Sequence, residues 1–307
     1  MNRRAFLRTL MASTALGAIP AGPAWAGHCH NVREATTGTV NDRIRALASA
    51  RPVSTDVRAV GSRLVKDAFL DQVALAYRDH SAVPLNVEGG GCDDGVTAIR
   101  EGLAGFGCLC CPTEDSPARH FPYIPLAHDI KVVAVHPDNP LESISSEDLK
   151  RLARGDIRDW QELDGPAGRI ALVVHDHCPD YREPVREFLF DGDSGWAPEH
   201  IASPTDEDHL QQVMRFRRAI GINSWTIARR YVESGHLKLL ALDHHPPTPA
   251  TAGAGDYRLV GPLGVIHPGP HSAPENAFLD FLFGPEGQQI IARQAVPIPR
   301  TSRAGHA

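Results

Sequence analysis

The chain has 307 residues, a formal charge of −6, 6% aromatic residues, 27 glycines and 25 prolines. That length allows two lobes of ordinary domain size with cores of their own, so the fold does not depend on disulfide staples. The acidic balance, with no lysine or arginine cluster to offset it, excludes a general attraction for nucleic acid or anionic membranes.

The chain opens with "MNRRAFLRTLMASTALGAIPAGPAWAGH". Arg3 and Arg4 precede a weakly apolar run, and Ala24-Trp25-Ala26 forms a small-x-small cleavage pattern. This predicts a twin-arginine signal over 1–26, cleaved near Ala26, and a mature protein soluble in the periplasm. Gly17 and Pro20 break the run, which is too short to remain as a membrane span, and no later segment approaches spanning length. Loss of Arg3, Arg4 and Arg8 takes the formal charge from −6 to −9. Twin-arginine export carries folded proteins, often with a cofactor already loaded.

Period-2 and period-3.6 patterns then alternate. "VRAVG" reads as a strand ending at Gly61. A helix from Ser62 should turn Val65, Ala68, Phe69, Gln72 and Leu75 inward. "VPLNVE" is a strand, and Gly89-Gly90-Gly91 leads into a helix near Asp93–Glu101 with Val96 and Ile99 inside. "AGFGCL" is a short strand. "IKVVAV" is a wholly apolar, hence central, strand. "SSEDLKRLARG" is a helix with a Ser start and a Gly stop. "RIALVV" is a buried strand, followed by a helix in "PDYREPVREFLF". "AIGINSW" and "KLLAL" are strands around a helix at Thr226–Glu233, and "HHPPTPATAGAG" is a loop. "YRLVGPLGVI" is a strand pair or a bent strand. "APENAFLDFLFGPEGQQIIARQ" is two helices broken at Gly284-Pro285. Alternating strands and helices predict an α/β protein whose sheets contain parallel strands flanked by helices. In such sheets ligands meet the loops and helix starts at the strands' carboxyl ends. Those loops are Gly61-Ser62, Gly89–Asp94, Cys108–Pro112 and Val174–Arg182, and they hold five of the six cysteines.

Three stretches carry a family resemblance. "GSRLVKDAFLDQVALAYRDHSAVPLNVEGGGCDDGVTAIREGLAGFG" resembles the opening of the phosphate-binding proteins of ABC transporters, the PstS-like group, where Gly-Ser/Thr starts the first helix and a glycine run starts the second. "AHDIKVVAVHPDNPLESISSEDLKRLARGDIRDWQEL" is similar to the middle signature, with Asn-Pro, a helix and Gly-x-Ile-x-x-Trp. "FLDFLFGPEGQQIIARQAVPIPR" is similar to the closing helix pair. The resemblance covers about residues 57–300. It implies a two-lobed, hinge-closing periplasmic binding protein fold (type II), each lobe a mixed sheet flanked by helices. Its implied division is a 27–53 extension, one lobe from 54–136 plus 256–300, a second lobe from 137–255, and a 301–307 tail. It implies no enzyme, and the chain has no G-x-S-x-G elbow, H-E-x-x-H or C-x-x-C-H motif.

The departures from the family concern the ligand. The family holds phosphate with helix-start amides, hydroxyls, an acidic side chain and an arginine. The serine after the glycines falls on Cys92, the acid or serine after the short strand near Cys110, and the arginine on His175. The hydroxyl-rich turn falls across Cys178, Pro179, Asp180 and Tyr181, and Ser62 alone keeps its type. Ser62, Cys92, Asp93, Cys110, His175 and Cys178 are therefore the expected ligand-binding residues. Thiols and imidazoles suit thiophilic ions better than a fixed arginine's oxyanion. Cys92, Cys108, Cys110, Cys111, His175, His177 and Cys178 are expected metal ligands, with His28, Cys29 and His30 a weaker set. The implied centre is copper, zinc or iron–sulfur, or a bound metalloid. Disulfides (Cys92 with Cys108 or Cys110, and Cys111 with Cys178) stand as an alternative in which the ligand is phosphate or a related oxyanion, and inert buried thiols stand as another. Asp93 and Asp94 also read as helix-start residues. His136 is a weak cleft candidate, while His120, His128, His244, His245, His267 and His271 read as surface or packing residues. The expected partners are a small-molecule or metal ligand and an ABC permease or sensor protein, without nucleic acid and without membrane insertion. A metal- or cluster-carrying protein for delivery or electron transfer is the competing role.

Overall fold

A computed structural model describes residues 56–192 and 195–300. The expected signal and the His28-Cys29-His30 cluster lie outside the described residues. Among the described residues no helix is long and apolar enough to cross a membrane.

The first lobe is built on β1 (Val57–Ser62), β2 (Leu85–Gly90) and β3 (Phe106–Leu109), which are mutually parallel about β1. Antiparallel β10 (Val260–Ile266) then joins β3 to the long central strand β4 (Tyr123–Val135). Alternation along the strands sorts their side chains to two faces. Ala59, Phe106 and Cys108 enter one core, while Val60 and Leu109 enter the other. The first core is closed by helix α1, composed of Arg63–Val65, a π-helical Lys66–Leu70 and Asp71–Tyr77, and by α8 (Ala273–Leu282) and α9 (Pro285–Ile291). The second core is closed by α2 (Cys92–Arg100).

The π turn corrects one expectation. A regular 3.6 period would turn Gln72 and Leu75 inward. The wider turn advances the chain by one residue, so Val73, Ala74 and Tyr77 are buried instead and Leu75 is 59% exposed.

The second lobe uses the other half of β4. Lys131–Val135 pairs antiparallel with β8 (Ala219–Ser224) and β9 (Lys238–Leu242), and β8 continues to β6 (Ala171–Val174) and β7 (Ile201–Ala202) in parallel. Short β5 (Ser143–Ile144) pairs with β9. Around this sheet stand α3 (Ser146–Arg154), α4 (Pro184–Phe190), α5 (Asp206–Arg215) and α6 (Trp225–Glu233). Trp160, Leu210 and Leu240 are buried at its centre. Two chain segments join the lobes side by side. β4 changes partners between Ile130 and Lys131, and the returning chain passes at Leu259, whose carbonyl accepts from Lys131 N at 3.0 Å. The expected boundary at His136 lies at the far end of the same strand.

Three details of the sequence reading change here. "HHPPTPATAGAG" contains a short helix, α7 (Pro249–Ala254), begun by Thr248 and Pro249. The helix expected in "PDYREPVREFLF" starts only at Pro184, because Pro at the first helical position leaves the preceding residues extended. Helix α5 was not singled out at all. The short β11 (Val296–Pro297) pairs with β4 on the edge opposite β10.

Candidate functional site

The cleft between the lobes is lined from the first lobe by Ser62, Arg63, Gly90, Gly91, Cys92, Cys110 and Cys111. Lys131 lies at the crossing, and His175, His177, Glu183, Asp206, Asn223 and Ser224 face it from the second lobe. These are strand ends and helix starts, as an α/β sheet requires.

Close backbone packing places the first-lobe residues. Gly61 has φ +135, and a Cβ there would lie 2.4 Å from the Cys108 carbonyl oxygen and 3.0 Å from Gly95 Cα. Only glycine lets α2 settle this near β1 and β3. Ser62 is 3% exposed where β1 becomes α1, and Cys92 is fully buried as the first residue of α2. Asp94 accepts from Gly91 N at 2.7 Å and closes the start of α2, as expected of a helix-start acid.

The cysteines divide into three groups. Cys92, Cys110 and Cys111 gather in the cleft as free thiols, with Sγ of Cys92 and Cys110 3.6 Å apart. The Cys110 amide also donates to Cys92 Sγ at 3.4 Å. Cys108 is free as well, but it points into the opposite core among Phe106 and Phe278, and burial pushes its thiol up to about 12. Cys108 therefore does not join the cleft set. Cys178 is disulfide-bonded, and the four other described cysteines are free, so neither Cys92 with Cys108 or Cys110 nor Cys111 with Cys178 is a disulfide. Its sulfur still lies within 4.8 Å of those of Cys92 and Cys111. Hydrogen bonds from Cys111 and Cys92 hold the Cys110 thiol well below its ordinary value, against burial and with help from Lys131 and Ser62. The same contacts with Cys110 push Cys92 and Cys111 well up.

The second-lobe loop is fixed by a buried arginine. Arg186 donates to the carbonyls of His177 (2.5 Å), Cys178 (2.6 Å) and Tyr181 (2.9 Å) and to Asp176 Oδ1 (2.9 Å). This holds Cys178 at φ 53, a left-handed conformation that a non-glycine residue adopts only under constraint. His175 and His177 stack with ring centroids 4.5 Å apart. His175 Nδ1 donates to Ser203 O at 2.9 Å and His177 Nδ1 to His175 O at 3.0 Å, so each ring is oriented by a backbone carbonyl. Burial lowers the His175 pKa. His136 is outside the cleft lining, where its Nδ1 accepts from Asp138 N at 3.1 Å.

Several cleft residues were not anticipated. Lys131 is 6% exposed and 3.0 Å from Asp129 Oδ2, while Asp129 Oδ1 accepts from Ser224 Oγ at 2.7 Å. Although burial opposes it, Asp129 and Glu183 hold Lys131 above its ordinary value. Glu183 Oε2 accepts from Val185 N and Arg186 N at the start of α4, and its buried Oε1 has no partner among the described residues. Asp206 accepts from Asn223 Nδ2 at 3.2 Å, and despite burial His175, His177 and Lys131 lower its pKa. A lysine inside an otherwise apolar strand was the available signal for Lys131. The acids carried none.

A family model described as PBP superfamily domain matches residues 46–286. The chain is 23% identical over 245 residues to the phosphate-binding protein PstS of Bacillus subtilis (strain 168), covering 78% of this chain and 79% of that one. Its fold resembles a Clostridium perfringens protein solved with bound phosphate and described as a phosphate ABC transporter substrate-binding protein, with TM-score 0.68, 19% identity, 80% of this chain and 100% of that one. It also resembles an ABC-type phosphate transport receptor from Vibrio cholerae, with TM-score 0.63, 19% identity, and 80% and 100% coverage. These relatives are binding and transport proteins rather than enzymes, in line with a sequence that carries no enzyme motif.

Proposed function

Since the chain belongs to the PBP superfamily domain family, with PstS as a relative, we propose that it is the periplasmic solute-capturing component of an ABC importer and that its solute is phosphate or a related tetrahedral oxyanion. One observation carries the ligand class. The helix starts of α1 and α2, the Ser62 hydroxyl and the buried Lys131 ammonium converge on a single cleft. Backbone N–H groups at helix starts and a desolvated cation are the donors an oxyanion needs. The family arginine falls on His175 in this chain, and a second-lobe arginine is therefore not the donor. Lys131, from another strand, supplies an ammonium donor whose charge Asp129 partly compensates at 3.0 Å, and the ranking of oxyanion below thiophilic ion is reversed.

Asp206 sharpens the class. A carboxylate with a lowered pKa accepts hydrogen bonds and cannot donate them. As an acceptor in the cleft it favours an oxyanion that still carries a proton over one that carries none. Titration calorimetry at neutral pH should give phosphate binding near or below the micromolar range, with sulfate far weaker. No phosphate binding at millimolar concentration would overturn the reading.

The exported location rests on the N-terminal pattern of Arg3, Arg4 and Ala24-Trp25-Ala26. Replacing both arginines by lysine should strand the precursor in the cytoplasm, and unchanged periplasmic levels would remove the twin-arginine route. Capture for a permease is tested by loss of phosphate uptake on deletion of the gene.

A further inference from the structure

Phosphate capture leaves the free thiols unused. Cys92 reaches the cleft from the start of α2, and Cys110 and Cys111 reach it from the turn after β3. Sγ of Cys92 and Cys110 are 3.6 Å apart, those of Cys92 and Cys111 lie within 4.8 Å, and Cys111 follows Cys110 directly in the chain. A metal–sulfur bond of about 2.3 Å places ligand sulfurs about 3.8 Å apart in a tetrahedral set and about 4.0 Å apart in a trigonal one. The Cys92–Cys110 separation of 3.6 Å is close to both values, and the Cys92–Cys111 separation is bounded at 4.8 Å, so a shared ion asks for side-chain rotation chiefly at Cys111.

We propose that Cys92, Cys110 and Cys111 form a three-thiolate site for one soft cation of the copper(I) class, on the first-lobe wall of the cleft. Sulfur-only ligation selects soft ions. The chemistry is balanced by proton loss alone. Three thiols release protons to solvent, three metal–sulfur bonds form, and no electron is transferred. Three thiolates and one monovalent cation leave a doubly negative complex, and the Lys131 ammonium acts on Cys110 to offset it. Zinc prefers four ligands, and among the described residues the Cys178 sulfur, near Cys92 and Cys111, is committed to a disulfide and cannot serve as the fourth. This inference goes beyond phosphate capture and does not depend on it, but both use Lys131, so the loaded anionic site should weaken phosphate binding in the same cleft.

The test uses the full chain with ascorbate as reductant, which leaves the disulfide in place, and copper(I) delivered from a competing chelator. Wild type should take up one equivalent with a sulfur-only first shell by X-ray absorption. Cys110→Ser and Cys92→Ser should each weaken binding by roughly 100-fold or more, beyond the loss typical of an outer-shell partner. Cys108→Ser, a free thiol on the other face of the sheet, should bind as wild type. No uptake by wild type, uptake that survives simultaneous serine replacement of Cys92, Cys110 and Cys111, or an equal loss in Cys108→Ser would each overturn the site. Circular dichroism confirms that each variant is folded. Phosphate titration of the metal-free protein and of the triple variant reads the capture function separately, so either proposal can fail without the other.

Discussion

Tyr181, on the second-lobe loop, donates its phenol hydrogen to Asp93 Oδ1, in the first turn of α2 of the other lobe, across 2.9 Å. Its ring is buried in the first lobe's core beside Cys92 and Leu109. From another point Arg63 Nη2 donates to Glu207 Oε1 at 3.2 Å. The lobes are thus latched twice, by Tyr181 to Asp93 and by Arg63 to Glu207, in a closed arrangement.

Tyr181→Phe removes one latch and keeps the ring. A hydrogen bond to a carboxylate contributes about 1.5 kcal/mol or more, so the closed state should weaken roughly tenfold. Phosphate affinity should fall by no more than that factor, since closure limits it. Small-angle scattering should show a larger radius for the unliganded variant. Identical scattering and affinity would show that the latch does not govern closure.

Arg186 is the scaffold of the loop that carries His175, His177 and Tyr181. Arg186→Met fills the same space but leaves three carbonyls without their donor, two of them in buried bonds. The expected loss is at least about 3 kcal/mol, given charge-assisted bonds of about 1.5–3 kcal/mol each and imperfect additivity. It should appear as a lower urea midpoint and as new protease cleavage between 176 and 183. A midpoint unchanged from wild type would mean that the loop is held by other contacts.

Much of this architecture could be read from the sequence, and the exceptions have physical causes. Local signals were sufficient where a residue acts on its own neighbours, as at the Ser145 start and Gly155 stop of α3. The π turn at Lys66–Leu70 defeated a fixed 3.6 period. The five cysteines assigned to strand ends were correctly placed along the chain, but β3 ends at Leu109, so Cys108 keeps the strand's inward face while Cys110, in the turn beyond, reaches the cleft, which position alone did not weigh. Lys131, Asp206 and the Arg63–Glu207 pair belong to the cleft through long-range packing. Their roles depend on which strand lies beside which, and no local pattern encodes that.

His209 makes stability depend on pH. It is 1% exposed, its Nε2 donates to Val173 O at 3.1 Å, and its Nδ1 accepts from Asn223 Nδ2 at 3.1 Å, so the ring is held neutral. Burial, with His175 and His177 adding to it and Asp206 opposing, lowers its pKa to about 4. In the unfolded chain the value is about 6.5. Between these values the unfolded state binds the additional proton. This contribution is therefore fully present above about pH 6.5 and is lost as pH falls toward 4, to a total of about 3 kcal/mol. His209→Gln should flatten the change in urea midpoint between pH 7.5 and 5. A variant with the wild-type slope would assign the dependence to other groups.

The cleft also depends on a residue with no side chain. At Gly61 the atoms nearest a new Cβ are Cys108 O at 2.4 Å, Cys108 N at 2.9 Å and Gly95 Cα at 3.0 Å, all backbone, and φ is +135. No rotamer change relieves such contacts. Gly61→Ala must part β1 from β3, where Gly61 pairs with Cys108, or lift α2 from the sheet. Either movement displaces Ser62 and Cys92 from the cleft. The expected cost is about 4 kcal/mol or more, in the range reserved for core strain. Gly102 is the control, because it also has positive φ (+67) but would place its Cβ in open space. Gly102→Ala should cost only the left-handed penalty of about 1–2 kcal/mol. Thermal unfolding of the two variants separates backbone conformation from packing. Comparable losses in both would mean that close approach of α2 to the sheet is not what Gly61 provides.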